Sequence, residues 1–373
     1  MSTEIDEKTG RLVRWMEERR LGGVLLSTRP GFAWITAGRE SGIDLSRESG
    51  VATVLVAADG RRFLLTNNIE MRRFLEEDLS GQGYAPVELS WTEEQADPGR
   101  IAALAREVLG SVPLASDVSG DGKDLARLRH RLTAAEIERF RGLGRDAGEA
   151  LGEVCRGLQP GLTEREIGRR ASEAMAARGA DPIVLLVAAG DRLARYRHPP
   201  PTDHRWERDG VMVVVCARRE GLIAALTRIV WAGPVPEDIR RRTRAAAEVN
   251  ARLLAATRPG ASGRELFAVA SRAYEELGFP GEERLHHQGG PCGYLSRDWI
   301  AHPACEEVVQ APQAFAWNPS VTGTKVEETW LMEANTEADT ADAITATPGW
   351  PSLQIGVDGR ICSFPDIAVL GSS

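Results

Sequence analysis

Lysine is scarce in this chain. Lys8, Lys123 and Lys325 are the only three in 373 residues, and arginine supplies the rest of the 46 basic side chains. Against 54 acidic side chains the formal net charge is −8. A clustered basic face of the kind that follows a nucleic-acid backbone is therefore not expected. Long apolar runs are missing as well. No stretch approaches the roughly 20 apolar residues that a bilayer span needs. Residues 1–20 are charged and helix-like, without the apolar centre of a secretory signal, so the expected setting is the cytoplasm. Cysteine is thin. Cys155, Cys216, Cys292, Cys305 and Cys362 are odd in number, far apart and form no C-x-x-C pair. Neither a disulfide framework nor a zinc site follows from them. No low-complexity run is present, and no internal repeat is readable.

What the chain does have is an ordinary globular balance, 42% hydrophobic and 27% charged, over a length that suggests about two domains. The first third reads as α/β. Thr9–Arg20 has helical spacing, with Leu12, Val13, Trp15 and Met16 on its apolar side. Gly23–Ser27 and Phe32–Ala37 read as short strands. Val51–Ala57 and Arg62–Thr66 flank Ala58-Asp59-Gly60, a hairpin signal. A boundary falls near Leu125–Arg131, giving an N-terminal domain over residues 1–128 and a C-terminal domain over residues 129–373. Thr133 with Glu136 then forms a capping-box pattern opening a helix to about Leu158, and Thr163 with Glu166 repeats it for a helix toward Arg178.

Three later segments carry the chemistry: Val211–Val230, Leu285–Trp299 and Ala314–Met332. Together with the helical entry after residue 129, they resemble the active-site segments of the creatinase/prolidase/methionine-aminopeptidase family. The resemblance implies an α/β (α+β) protein. Its N-terminal domain would be creatinase-like, and its C-terminal domain would have the pita-bread fold, with helices around a curved antiparallel sheet. Metal-dependent relatives hold two divalent ions with two Asp, one His and two Glu. Here Val214 and Ala225 stand at the two Asp positions, Gly290 at the His position and Asn318 at the first Glu position. Only Glu327 remains. A paired site needs bridging carboxylates, and hard ions want about six oxygen or nitrogen donors. The expectation is therefore no metal and no cofactor.

The polar groups left in such a cleft become the candidates. His198 lies in Tyr196-Arg197-His198-Pro199, ahead of the Val211 strand. An imidazole, with an unperturbed pKa near 6.5, can give and take a proton near neutrality, and the resemblance implies an acid–base role for it, as in creatinase. A loop histidine capping backbone carbonyls is the alternative. His286 matches a position that the resemblance makes proton-shuttling or substrate-contacting. Its neighbour His287, on a strand, would face the opposite way.

Glu327 offers a lone carboxylate, either raised in pKa by burial or held ionised by Lys325 two residues away. Arg297 places a planar cation suited to a carboxylate or phosphate, or else it pairs with Asp298. Asn318, Tyr294, Lys325 and Thr227 are the remaining substrate-binding candidates. Arg228 reads as structural. Cys216 and Cys292 could act as nucleophiles or as small apolar fillers.

The function this implies is a metal-independent hydrolase, lyase or isomerase using histidine acid–base chemistry. Its substrate would be small, amino-acid-derived or C–N-containing, with a bacterial biosynthetic pathway as a fitting setting. A non-catalytic peptide- or small-molecule-binding pseudo-peptidase and a conventional metallo-aminopeptidase or prolidase are the alternatives. The expected partner is a small molecule or short peptide, with no nucleic acid and no membrane. The resemblance also implies a homodimer.

Overall fold

A computed structural model describes residues 3–333 and 342–371. The chain divides into two compact units, Met1–Ala135 and Glu136–Ser373. The division lies later than the 128/129 boundary read from the sequence, which falls inside the helix Gly122–His130.

The first unit is built on a five-stranded sheet. Helix α1 (Glu4–Arg19) opens on a capping box formed by Thr3 and Asp6 and buries Leu12, Trp15 and Met16. Strand β1 (Gly23–Thr28) follows, then helix α2 (Arg29–Ile35), β2 (Ser49–Ala57), β3 (Arg62–Asn67), β4 (Ala85–Leu89) and β5 (Leu114–Ser116). The spatial order is β4-β3-β2-β1-β5. The β2–β3 turn uses Gly60 at φ +86°, a conformation that favours a residue without Cβ. Phe32–Ala37, expected as a strand, is mostly helix. Thr28 caps α2 by accepting from Gly31 N, and Pro30 sits in its first turn, where a missing N–H costs nothing.

The second unit carries the site. Helix α3 (Ala134–Arg156) begins one residue after Thr133, and α4 (Glu164–Ala176) is opened by the Thr163–Glu166 capping box read from the sequence. Strands β6 (Asp181–Ala189), β7 (Gly210–Arg219) and β8 (Leu222–Trp231) form an antiparallel run. Helices α5 (Glu237–Ala256) and α6 (Gly263–Glu276) follow. They pack through Ala247, Leu253, Leu266 and Tyr274 into a core shared with Phe315, Trp317 and Trp330.

A second antiparallel run uses β9 (Gly289–Cys292), β10 (Gln313–Trp317), the short pair β11 (Ser320–Val321) and β12 (Thr324–Lys325), β13 (Glu328–Met332) and β14 (Asp342–Ala343). Its order is β14-β13-β10-β9, with β11–β12 as a separate ribbon. The two runs join along β8 and β13. Thr227 N donates to Glu327 O at 3.2 Å, and Thr329 Oγ1 accepts from Ala225 N at 2.8 Å while donating to Ala225 O at 2.9 Å. Among the described residues no helix is long and apolar enough to cross a membrane.

Candidate active site

The seam between the two strand runs brings together the three segments singled out in the sequence. Across β7–β8, Val214 pairs with Thr227 and Cys216 with Ala225. Across β9–β10, Gly290 pairs with Ala316.

Glu327 is the centre of the first cluster. It is buried and both its oxygens are engaged. Oε1 accepts from Arg297 Nη2 at 2.9 Å; Oε2 accepts from Lys325 Nζ at 2.8 Å and from Thr227 Oγ1 at 2.6 Å. Burial alone would raise the pKa of this carboxyl. The charges of Lys325 and Arg297, with hydrogen bonds from Lys325 and Thr227, outweigh it and hold the pKa down at about 2. Glu327 is thus an ionised counter-charge. Arg297 pairs with it rather than with Asp298, and two cations face one anion.

The positions that resemblance assigns to metal ligands do not fit a paired divalent centre. Val214 and Ala225 have no donor atom. Gly290 is closed to any side chain, because a Cβ there would lie 2.1 Å from the Trp299 carbonyl oxygen. Asn318 is buried with its Oδ1 unpartnered, a neutral acceptor without compensating charge. Glu327 has spent both oxygens on protein cations.

The second cluster is imidazole. His198 reaches it from an exposed loop between β6 and β7. That loop is stapled by the fully buried Glu164 at the start of α4. Glu164 Oε1 accepts from Ala189 N at 2.9 Å, and Oε2 accepts from Thr202 N and Oγ1 at 2.9 and 2.7 Å and from Arg192. His198 Nε2 lies 3.0 Å from His286 Nε2. His286 Nδ1 lies 3.4 Å from Ser320 Oγ, which also accepts from Arg197 Nη1 at 3.1 Å. Arg197 can only donate, so the Ser320 hydroxyl hydrogen is free for His286 Nδ1, its other partner. The same hydroxyl can accept from Nδ1–H through its second lone pair, so Ser320 serves either tautomer of the His286 ring.

His287, expected to face away, joins the group. Its ring stacks on His286 with centroids 4.5 Å apart and planes at 28°. The alternation rule fails here because residues 285–288 precede the strand, which begins only at Gly289. Burial and the positive charges around them keep the rings neutral. Burial is the main cause for His286, with Lys325 next. His287 is lowered to about 4 by burial and Arg297, and His198 is lowered by burial and Lys325.

Other candidates sit elsewhere. The Tyr294 hydroxyl, a substrate-binding candidate in the sequence, instead donates to Glu136 Oε1 at 2.7 Å and ties the end of β9 to α3. Arg228 is buried and pairs with Glu328 at 2.8 Å. Burial pushes the Cys216 thiol up to about 11 and the Cys292 thiol up to about 12, which leaves no thiolate nucleophile near neutrality. Sequence reasoning misses Glu164, Arg197 and Ser320. Arg197 is next to His198, but its partner Ser320 is 123 positions away.

The cavity beside His286, Ser320, Arg197 and Lys325 is about 10 Å³, room for roughly one water. A larger cavity of about 810 Å³ lies against Trp330, Trp350 and Phe364. Of the candidate residues above it touches only the mutually paired Arg228 and Glu328. The seam is therefore the candidate site.

Comparison with known proteins gives the chain a family. The pattern of metallopeptidase family M24 matches residues 138–348. The chain belongs to that family. Among M24 relatives, it is 20% identical over 343 residues to an Xaa-Pro dipeptidase of Pyrococcus horikoshii, covering 89% of this chain and 95% of that protein. It is 25% identical over 222 residues to an Xaa-Pro dipeptidase of Pyrococcus furiosus, a match spanning 57% of this chain and 62% of that protein.

The prolidase from Pyrococcus horikoshii superposes with a TM-score of 0.74 at 19% identity, covering 91% of this chain and 98% of that one. The N-terminal domain of the FACT complex subunit SPT16 from Cicer arietinum superposes at 0.64 with 11% identity, covering 92% and 97%. The fold is the creatinase/prolidase pita-bread fold with two domains, as expected.

Proposed function

We propose that this M24 chain is an enzyme working by imidazole acid–base chemistry, without the paired-metal centre of its peptidase relatives, on a small amino-acid-derived or C–N-containing substrate. The observation that carries this reading is the direct Nε2–Nε2 contact of His198 and His286 at 3.0 Å, beside a carboxylate that protein cations have neutralised. His198 is the exposed member, and substrate meets it from the loop side, because the space behind His286 holds little more than one water. It accepts or delivers the proton. His286, oriented by Ser320 and Arg197, is the second station.

Lys325 and Arg297 exceed Glu327 by one positive charge, and that excess favours a carboxylate or a developing oxyanion next to His198. Asn318, with a free buried acceptor, suits an N–H of the substrate. Without a metal-bound hydroxide the reaction is an activated C–N hydrolysis, elimination, isomerisation or cyclisation, not attack on an ordinary peptide bond. The substrate class, the expected homodimer, the cytoplasmic setting and a biosynthetic role belong to this proposal.

The test is turnover by His198→Ala with a panel of small amino acids, guanidines, amides and dipeptides. A loss with the fold intact supports the reading; unchanged turnover removes it. The relatives' names favour a second reading, an Xaa-Pro metallopeptidase. That reading requires Mn²⁺- or Co²⁺-dependent cleavage of an Xaa-Pro dipeptide, abolished by chelator.

A further inference from the structure

The three imidazoles have a property that proton transfer does not use. One ring nitrogen from each of His198, His286 and His287 lies within 4.8 Å of the others. The Nε2 atoms of His198 and His286 are 3.0 Å apart. In a tetrahedral zinc site with Zn–N bonds of about 2.0–2.1 Å, ligand nitrogens stand about 3.4 Å apart, so this pair needs little movement and His287 a modest approach. The rings are held neutral, which leaves lone pairs for an ion. His287 Nδ1 is shielded from solvent and has no hydrogen-bond partner. His286 has an outer partner on its other nitrogen, the Ser320 hydroxyl fixed by Arg197, as metal-bound histidines usually do.

We propose that His198, His286 and His287 form a site for a single borderline divalent cation of the zinc class, and that its occupancy takes both Nε2 atoms out of proton exchange. The site is separate from the paired centre of the relatives and uses none of Val214, Ala225, Gly290, Asn318 or Glu327. It selects against hard ions. The cluster contains no carboxylate, and Glu327 is committed to Lys325 and Arg297, so Mg²⁺ and Mn²⁺ find too few oxygen donors. The excess positive charge of Lys325 and Arg297 opposes any cation, and it calls for an anion from solution, hydroxide or chloride, as the fourth ligand. The ion thus acts with the opposite sign to the metals of M24 peptidases: it silences the relay.

The proposal shares its rings with the proposed function, but its test is a binding measurement and needs no substrate. The full chain is stripped with chelator, dialysed and titrated with CoCl₂, ZnCl₂ and MnCl₂. The expected result is one equivalent of Co²⁺ with the visible absorption of a tetrahedral nitrogen site, displaced by Zn²⁺ and not by Mn²⁺. His287→Ala lies outside the relay. It weakens binding by more than the roughly 10–100-fold that an outer-shell change costs, and Ser320→Ala falls within that range. If His287→Ala folds poorly, His198→Ala on the exposed loop gives the same reading, with circular dichroism as the check on folding.

Absence of the Co²⁺ spectrum at one equivalent overturns the site. So does full binding in both histidine variants, or preferential uptake of two Mn²⁺. Failure of metal binding leaves the His198 turnover test standing, and failure of that test leaves the metal titration standing.

Discussion

The carboxylate cluster and the imidazole cluster of this cleft follow opposite rules. Around Glu327 the carboxylate is saturated: two cations and a hydroxyl converge on it, and the pKa falls to about 2. Around His286 burial and the same cations keep every ring neutral, and the rings bond to each other instead. The difference teaches where chemistry can happen. A saturated ion pair is a fixture whose disturbance costs stability. A chain of neutral imidazoles ending on an exposed ring can move protons at little structural cost.

The largest effect should come from removing the exposed imidazole. His198→Ala is expected to lower turnover by about 10²–10⁴-fold, the usual span for a general acid–base residue, with denaturant unfolding almost unchanged. A large stability loss with little change in turnover would reverse the two clusters' roles. Glu327→Ala tests the other side. It strands Lys325 and Arg297 without their counter-charge, and breaking a buried pair in this way costs about 3–5 kcal/mol, read from urea unfolding. Tyr294→Phe is the control that touches neither cluster. It removes one hydrogen bond to Glu136, a loss of about 1.5–3 kcal/mol for a charged partner, and should leave turnover alone.

Much of this contrast is legible in the sequence, and its limits have physical causes. Lys325 and Glu327 are two apart, so their pairing is visible as a local one, although Glu327 lies between β12 and β13 and not on a strand. Thr163 and Glu166 announce their helix through a local capping rule. The partners that decide roles are remote: Arg297 meets Glu327 at a separation of 30 positions, and Tyr294 meets Glu136 at 158. Strand alternation gives His287 the wrong face because period two holds only inside a strand, and the strand starts two residues later, at Gly289. Phe32–Ala37 reads as a strand because its β-forming aromatics and isoleucine outweigh Thr28 and Pro30, the residues that cap and start a helix. Gly290 is legible as a lost ligand, but not as a position closed by the Trp299 carbonyl.

The pH response gives a subtler separation. His287 falls from 6.5 to about 4 on folding, so the unfolded chain takes up a proton that the native state refuses. Its contribution to stability is complete above pH 6.5 and is lost as pH falls toward 4. Glu327, lowered from 4.5 to about 2, adds a contribution lost only between those values. Acid unfolding should therefore show an early imidazole phase, which His286 and His198, both also lowered from 6.5, share, and His287→Ala should reduce it without abolishing it. His198 is also lowered from 6.5, so the acid limb of turnover should fall below that value, because the neutral ring survives to lower pH.

Metal dependence separates the two clusters most sharply. The measurement is turnover on the best small substrate, alongside metal content by mass spectrometry, before and after chelator and with excess Mn²⁺. The saturated state of Glu327 calls for no retained Mn²⁺ pair and for turnover that chelator leaves unchanged or raises. Two equivalents of Mn²⁺ bound per chain, with turnover that disappears on chelation and returns with the ion, would contradict it.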